Sequence, residues 1–170
     1  MPRKSREKID TPKALAEVRA IYDELAQRPI SRDCVRRTEC CQFKLTGKTP
    51  YLTAGEALFA AEAIRAKGGR PRLEEKPDGS CPLLNPQTGG CQIYEARPFS
   101  CRTHFCVAAG GPYARREVVD LIRRLEDLDD ALCGIGAQTL PAAIKEALAA
   151  PATLRPGVHS KAMPRARGRG

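Results

Sequence analysis

Residues 91–101 read CQIYEARPFSC: two cysteines bracket a tyrosine, an arginine, a proline and a phenylalanine. By residue type this is a disulfide loop, ordinary core, or one side of a metal site. Pro98 restricts Arg97 to extended backbone and fixes its own φ, so the connection between Cys91 and Cys101 is held in a defined arc that presents both sulfurs. Arg97 and Arg102 stand close in sequence to Cys101, where positive charge favours thiolates and balances the negative charge of a four-thiolate centre. Tyr94, Phe99 and Phe105 are candidates to sheath such a site from water, with plain core packing as the equal alternative.

The chain of 170 residues carries 8 cysteines. Its opening, MPRKSREKID, is polar and charged, and no run of apolar residues is long enough to cross a bilayer. The expectation is a soluble, unexported, cytoplasmic protein. In that reducing compartment so many thiols point to metal or redox chemistry before a disulfide framework. A chain of this length also has no need of covalent staples to fold.

Seven of the 8 cysteines fall into two groups. Cys34, Cys40 and Cys41 lie between the first two predicted helices, and Cys81, Cys91, Cys101 and Cys106 lie in a loop-rich centre. Four thiolates suit a tetrahedral zinc ion or a cubane iron-sulfur cluster, so one or two centres can be built from this set. No C-x2-C knuckle occurs, which sets the chain apart from ordinary zinc ribbons. In extended backbone the side chains of Cys40 and Cys41 diverge; on that geometry one binds the centre while the other faces a second centre or the core. Cys133, at a predicted helix end, reads as a packed apolar thiol, with a ligand role as the alternative.

The net charge of +9 is unevenly placed. Residues 1–52 hold 12 basic and 7 acidic groups, residues 53–114 hold 7 and 6, residues 115–150 hold 5 and 7, and residues 151–170 hold 5 and none. The stretch with half of the cysteines is thus nearly neutral before any thiol ionises, and a basic surface across the whole domain is not supported.

Helical periodicity surrounds the cysteines. Asp10 caps a run with Pro12 in its first turn and Leu15, Val18, Tyr22 and Leu25 at helical spacing, stopped by Pro29. Thr53-Ala-Gly-Glu56 has the form of a capping box ahead of a helix over 57–67, closed by Gly68 and Gly69. A loop is expected over 68–80. CPLL at 81–84 and CQIY at 91–94 flank the turn signal NPQTGG, which predicts an irregular hairpin that brings Cys81 near Cys91. Residues 115–132 place Val118, Leu121, Ile122, Leu125, Leu128 and Leu132 on one helical face, ended by Cys133 and Gly134, and 141–150 predicts a shorter helix closed by Pro151. The expected fold is mainly α with irregular loops and a short β-hairpin, a small single domain organised around a cysteine metal site. It runs from 10 to 150, between a basic N-terminal arm (1–9) and a flexible basic C-terminal tail (151–170).

CPLL followed by CQIYEARPFSCR, after an upstream CC and the helix YLTAGEALFAAEAI, resembles the YkgJ-type cysteine-cluster family, the CxxCxxCC proteins regarded as zinc- or iron-chelating domains. The match runs from about Cys34 to Cys106. The resemblance implies ligands at Cys34, Cys40, Cys41, Cys81, Cys91 and Cys101. The family opens with C-x2-C before its C-C pair, whereas CVRRTECC has Arg37 where the inner cysteine is expected. Cys106 is the candidate substitute, and His104 the weaker one.

The resemblance implies an iron-sulfur cluster or zinc and leaves the reaction open. One reading is a small metalloprotein whose centre is structural or transfers electrons, with a redox partner. A second, from relatives in flagellin lysine N-methylases, is metal-linked modification of a protein substrate. Against it, the chain has no G-x-G-x-x-G loop and no obvious paired carboxylates or Ser-His pair. A third is an RNA- or ribosome-associated protein whose basic ends track phosphates around a structural metal site, though residues 151–170 offer no aromatic for base stacking. His159 stands alone and receives no role.

Overall fold

The structure, a computed structural model, describes residues 9–29, 32, 38–68 and 71–150. Cys34, Arg37, His159, residues 1–8 of the basic arm and the whole basic tail lie outside the described residues.

Helix α1 (Thr11–Gln27) starts as the sequence predicts: the Asp10 carboxylate accepts the Lys13 N–H at 2.9 Å, and Pro12 sits in the first turn. Its face of Ala14, Leu15, Val18, Ile21, Tyr22 and Leu25 is buried. A short turn, α2 (Phe43–Thr46), precedes strand β1 (Tyr51–Leu52) and helix α3 (Ala54–Ala66). The capping box of α3 forms, with the Glu56 carboxylate accepting from both the backbone N–H and the hydroxyl of Thr53 at 3.0 Å. The chain continues through α4 (Phe99–Thr103), α5 (Arg115–Ala131), β2 (Gln138–Thr139) and α6 (Leu140–Ala149).

The α5 helix buries Val118, Leu121, Leu125 and Leu128. It ends at Cys133, which takes the left-handed conformation (φ 58°) while Gly134 N–H donates to the Asp129 carbonyl at 2.8 Å, the pattern of a helix C-terminal cap. Cys133 is exposed there, which corrects its reading as a packed thiol: the left-handed turn carries its side chain away from the apolar face of α5.

Helix α3 is the centre of the fold, touching α1, α5 and α6. On one side α1 and α5 form an apolar layer with Phe99. On the other, α6 packs with Leu52 and with Leu83, Leu84 and Ile93 of the cysteine loops. Gly55 makes the close approach possible, because a Cβ there would stand 2.9 Å from Leu128 Cδ2 and 3.3 Å from Val18 Cγ2. Outside the apolar contact, Arg124 ties α5 to Glu17 at 2.7 Å and to Glu24 at 2.5 Å, and Arg28 pairs with Asp120.

A two-stranded antiparallel sheet is present, but it joins β1 to β2, with Tyr51 opposite Thr139 and Leu52 opposite Gln138. The expected hairpin around NPQTGG closes instead through a single antiparallel bridge, Leu84 to Cys91, supported by Asn85 N–H to the Gly90 carbonyl at 2.8 Å and Gln92 N–H to the Leu83 carbonyl at 2.9 Å. Tight turns on both sides of this bridge leave too few extended residues for a ladder. Among the described residues no helix is long and apolar enough to cross a membrane.

Candidate metal centre

Three short backbone arrangements carry the described central cysteines. Glu39–Cys41 form a 3-10 turn, so Cys40 and Cys41 are not in extended backbone. Their sulfurs lie 4.0 Å apart, and both line the same cavity, which corrects the expectation that adjacent side chains must diverge. The Cys41 carbonyl accepts the Cys81 N–H at 2.7 Å, and beside it Gln42 bridges Ser80. The Leu84–Cys91 bridge then brings Cys91 to the same region, as the hairpin reading expects. Cys101 is delivered by α4, which Pro98 starts: the Pro98 carbonyl accepts the N–H groups of Cys101 at 2.9 Å and Arg102 at 3.0 Å.

Cys40, Cys41, Cys81, Cys91 and Cys101 all line one cavity of about 1060 Å³. His104 also lines it, whereas Cys106, at the start of the 3-10 turn Val107–Ala109, and Cys133 are not among its lining residues. Among the described residues no three cysteine, histidine or carboxylate side chains meet around a single ion-sized point. The donor set nonetheless fits a soft or borderline ion: five thiols, one imidazole, and Glu95 as the single carboxylate in the lining. A tetrahedron of thiolates with Zn–S of about 2.3 Å has edges of about 3.8 Å. The Cys40–Cys41 separation of 4.0 Å is close to that edge.

The electrostatics divide the thiols. Cys40 is lowered to about 6, first because it accepts a hydrogen bond from the Cys41 thiol and further because of the Arg97 charge, with burial opposing both. Cys41 is pushed up by holding that proton and by burial. Burial pushes Cys81 up to about 11 and also raises Cys91 and Cys101. The charges of Cys81, Cys91 and Cys40 add to the rise at Cys101, so these groups are close enough to repel one another once ionised. Burial and the charge of Lys48 lower His104, which favours a neutral imidazole.

Arg97 takes the role expected of it: it lines the cavity, and its charge favours the thiolates of Cys40, Cys91 and Cys101. Arg102 does not share it. Its guanidinium lies over the Tyr22 ring, 4.2 Å from the centroid, and donates to the carbonyls of Arg97 and Glu95. The Tyr22 ring and the two carbonyls hold Arg102 against the helical layer, and it is not among the cavity-lining residues. Of the three aromatics, Tyr94 lines the cavity under the Arg97 guanidinium, Phe99 is core between α1 and α5, and Phe105 packs on Tyr113, 5.8 Å between ring centroids. Tyr113 itself lines the cavity and had no signal in the sequence.

Glu56 is the other residue that sequence reasoning read too narrowly. Besides its cap it accepts the Phe99 N–H at 2.7 Å and the Tyr22 hydroxyl at 3.1 Å, and it is buried, 3% exposed. The capping-box spacing located the residue, but nothing local revealed that its second oxygen reaches the helix of Cys101.

No curated protein and no solved structure matches the chain. The CxxCxxCC family model, described as a "putative zinc- or iron-chelating domain", matches residues 32–121, a span that holds seven of the 8 cysteines and leaves out Cys133. Thiols brought to one cavity by three separate segments are what a chelating domain requires, and the chain belongs to the CxxCxxCC family.

Proposed function

We propose that this protein binds an iron-sulfur cluster or zinc through Cys40, Cys41, Cys81, Cys91 and Cys101, with Cys34 and Cys106 supplying further thiols from the flanks. The centre serves a structural or electron-transfer role. The observation that carries this reading is the convergence of five thiols on one cavity that Arg97 makes electropositive. When bound, the metal supplies a Lewis-acidic or redox centre. The chain's own part is to deliver thiolates, to offset their charge with Arg97, and to keep the site dry on the side of Ile93 and Leu83.

Anaerobic purification followed by a visible spectrum and by iron, zinc and sulfide analysis tests it. Brown protein with sulfide supports a cluster, and colourless protein with stoichiometric zinc supports a zinc site. Protein that carries neither metal and keeps its stability under strong chelators overturns the reading.

A second reading has one observation in its favour. A cavity of about 1060 Å³ is far larger than an ion requires and stands at the upper limit of small-ligand sites, roughly 300–1,000 Å³. Such room suits a metal-linked protein-modifying enzyme similar to flagellin lysine N-methylase, in which a substrate side chain reaches the centre. Metal-loaded protein that transfers no group to lysine-bearing peptides sets this reading aside.

A further inference from the structure

Behind the wall that carries Cys101 lies a buried polar cluster which the metal site does not itself use. Glu56 projects from the first turn of α3 and is 3% exposed. One carboxylate oxygen, Oε2, accepts the backbone N–H and the hydroxyl of Thr53, each at 3.0 Å. The other, Oε1, accepts the Tyr22 hydroxyl at 3.1 Å and the Phe99 N–H at 2.7 Å. Both oxygens are thereby filled with two donors each, and among the described residues no lysine or arginine forms an ion pair with the carboxylate. A cap needs only the Thr53 contacts. The bonds to Tyr22 and Phe99 go beyond it, and they join three separate elements.

Phe99 is the first residue of α4, and Cys101 lies two positions on, in the same turn. The α4 segment is five residues long, too short to hold its own place in water. Its position is set from outside, by the Ser100 hydroxyl donating to the Tyr51 carbonyl, by the Tyr113 N–H donating to the Thr103 carbonyl, and by the contacts of Phe99 and Arg102. Its first N–H is fixed by Glu56, and its Arg102 guanidinium lies on the ring of Tyr22, whose hydroxyl donates to the same carboxylate. The Phe99 side chain, anchored between α1 and α5, completes the clamp.

We propose that Glu56 is a positioning residue for the metal centre: through the Phe99 N–H it fixes the start of α4 and so sets where the Cys101 sulfur stands in the cavity wall, with Tyr22 holding the carboxylate in register. This rests on the reading of Cys101 as a metal ligand. Partners that orient a ligand in this way change metal affinity by about 10–100-fold when removed. A glutamine at 56 leaves two of the four donors facing an NH2 group. The turn of α4 then loses one of its external fixings while the thiols themselves are untouched.

The test compares Glu56→Gln with Asp129→Asn in the full-length protein. Asp129 is a second buried carboxylate at the same end of α3, accepting the Ala54 N–H at 2.6 Å and the Gly136 N–H at 2.9 Å, but unlike Glu56 it accepts nothing from α4. Zn(II) affinity is measured by chelator competition well below the unfolding temperature of each variant, and Co(II) is added for its thiolate charge-transfer band. Glu56→Gln is expected to lose about tenfold or more in Zn(II) affinity and to alter the Co(II) band. Asp129→Asn is expected to lower thermal stability and to leave both readouts at their wild-type values. Wild-type affinity and spectrum in Glu56→Gln overturn the proposal, as does an equal loss in the two variants. Should Glu56→Gln fail to fold, Tyr22→Phe takes its place: a severalfold loss supports the proposal and an unchanged affinity overturns it. Wild-type protein that binds neither ion ends the zinc reading alone. Positioning is then read from alkylation, where Glu56→Gln should speed modification of Cys101 severalfold relative to Cys91, and an unchanged ratio overturns it.

Discussion

The guanidinium of Arg97 lies 3.9 Å from the centroid of the Tyr94 ring, held there while its Nε–H donates to the Tyr94 carbonyl at 3.1 Å. The stack and the hydrogen bond leave the positive charge little freedom to swing into solvent. That charge favours the ionised forms of Cys40, Cys91 and Cys101.

Arg97→Ala should therefore raise the Cys40 thiol above its value of about 6. Reaction with iodoacetamide near neutral pH requires the thiolate, so labelling of Cys40 in metal-free protein should slow severalfold. Peptide mass spectrometry of briefly labelled samples checks this; an unchanged rate means the arginine does not act on that sulfur.

The pH dependence of the metal-free protein follows from the buried thiols. Cys81 rises from 9.0 to about 11 on folding, and Cys91 and Cys101 move in the same direction. A raised folded-state value means that the native state holds its proton more tightly than the unfolded chain. The contribution to stability is complete below pH 9 and is lost as pH climbs through about 11. Melting temperatures in chelator should fall across that window, and metal-loaded protein, whose thiolates are already ionised, should show a smaller fall.

Among single substitutions, Cys101→Ser should release metal and Cys133→Ser should retain it, since Cys101 lines the cavity and Cys133 is exposed beyond α5. Metal content after gel filtration distinguishes them. Retention in the first variant with loss in the second would reverse the ligand grouping.

Cys133 also carries a stability prediction with no link to metal. Its φ of 58° is left-handed, a conformation that costs a residue with a Cβ about 1–2 kcal/mol. Cys133→Gly should stabilise the protein by about 1 kcal/mol in urea titration, because glycine relieves this strain at the helix end. A loss of stability would show that the thiol makes a contact worth more than the strain.

The helices were legible because their information is local. Asp10, the Thr53 to Glu56 box and the apolar faces of α1 and α5 act within one or two turns of themselves, and α1, α3, α5 and α6 stand within a few residues of their expected bounds, whereas the short α2 and α4 were not expected. The sheet was not legible, since Tyr51 and Leu52 pair with residues far along the chain and two-residue strands leave no alternation to detect. In the site, the spacing of cysteines and the arc at Pro98 pointed to a shared centre. The sequence could not show that Cys40 and Cys41 sit in a 3-10 turn with converging sulfurs, that Arg102 turns toward Tyr22, or that Phe99 belongs to the helical layer. These depend on which neighbour lies across a packed interface, and that is decided by the tertiary fold.

The hydrogen bond from Cys81 N–H to the Cys41 carbonyl has a kinetic meaning. It closes the long excursion between those residues by backbone contact, so the entropy given up in closing that loop is offset by the fold as well as by the ion. Capture then requires side-chain rotations over a few ångströms in place of a diffusive search by the polypeptide. Loading should be fast, and a hydrogen-exchange footprint of metal-free protein should already protect the Cys81 amide.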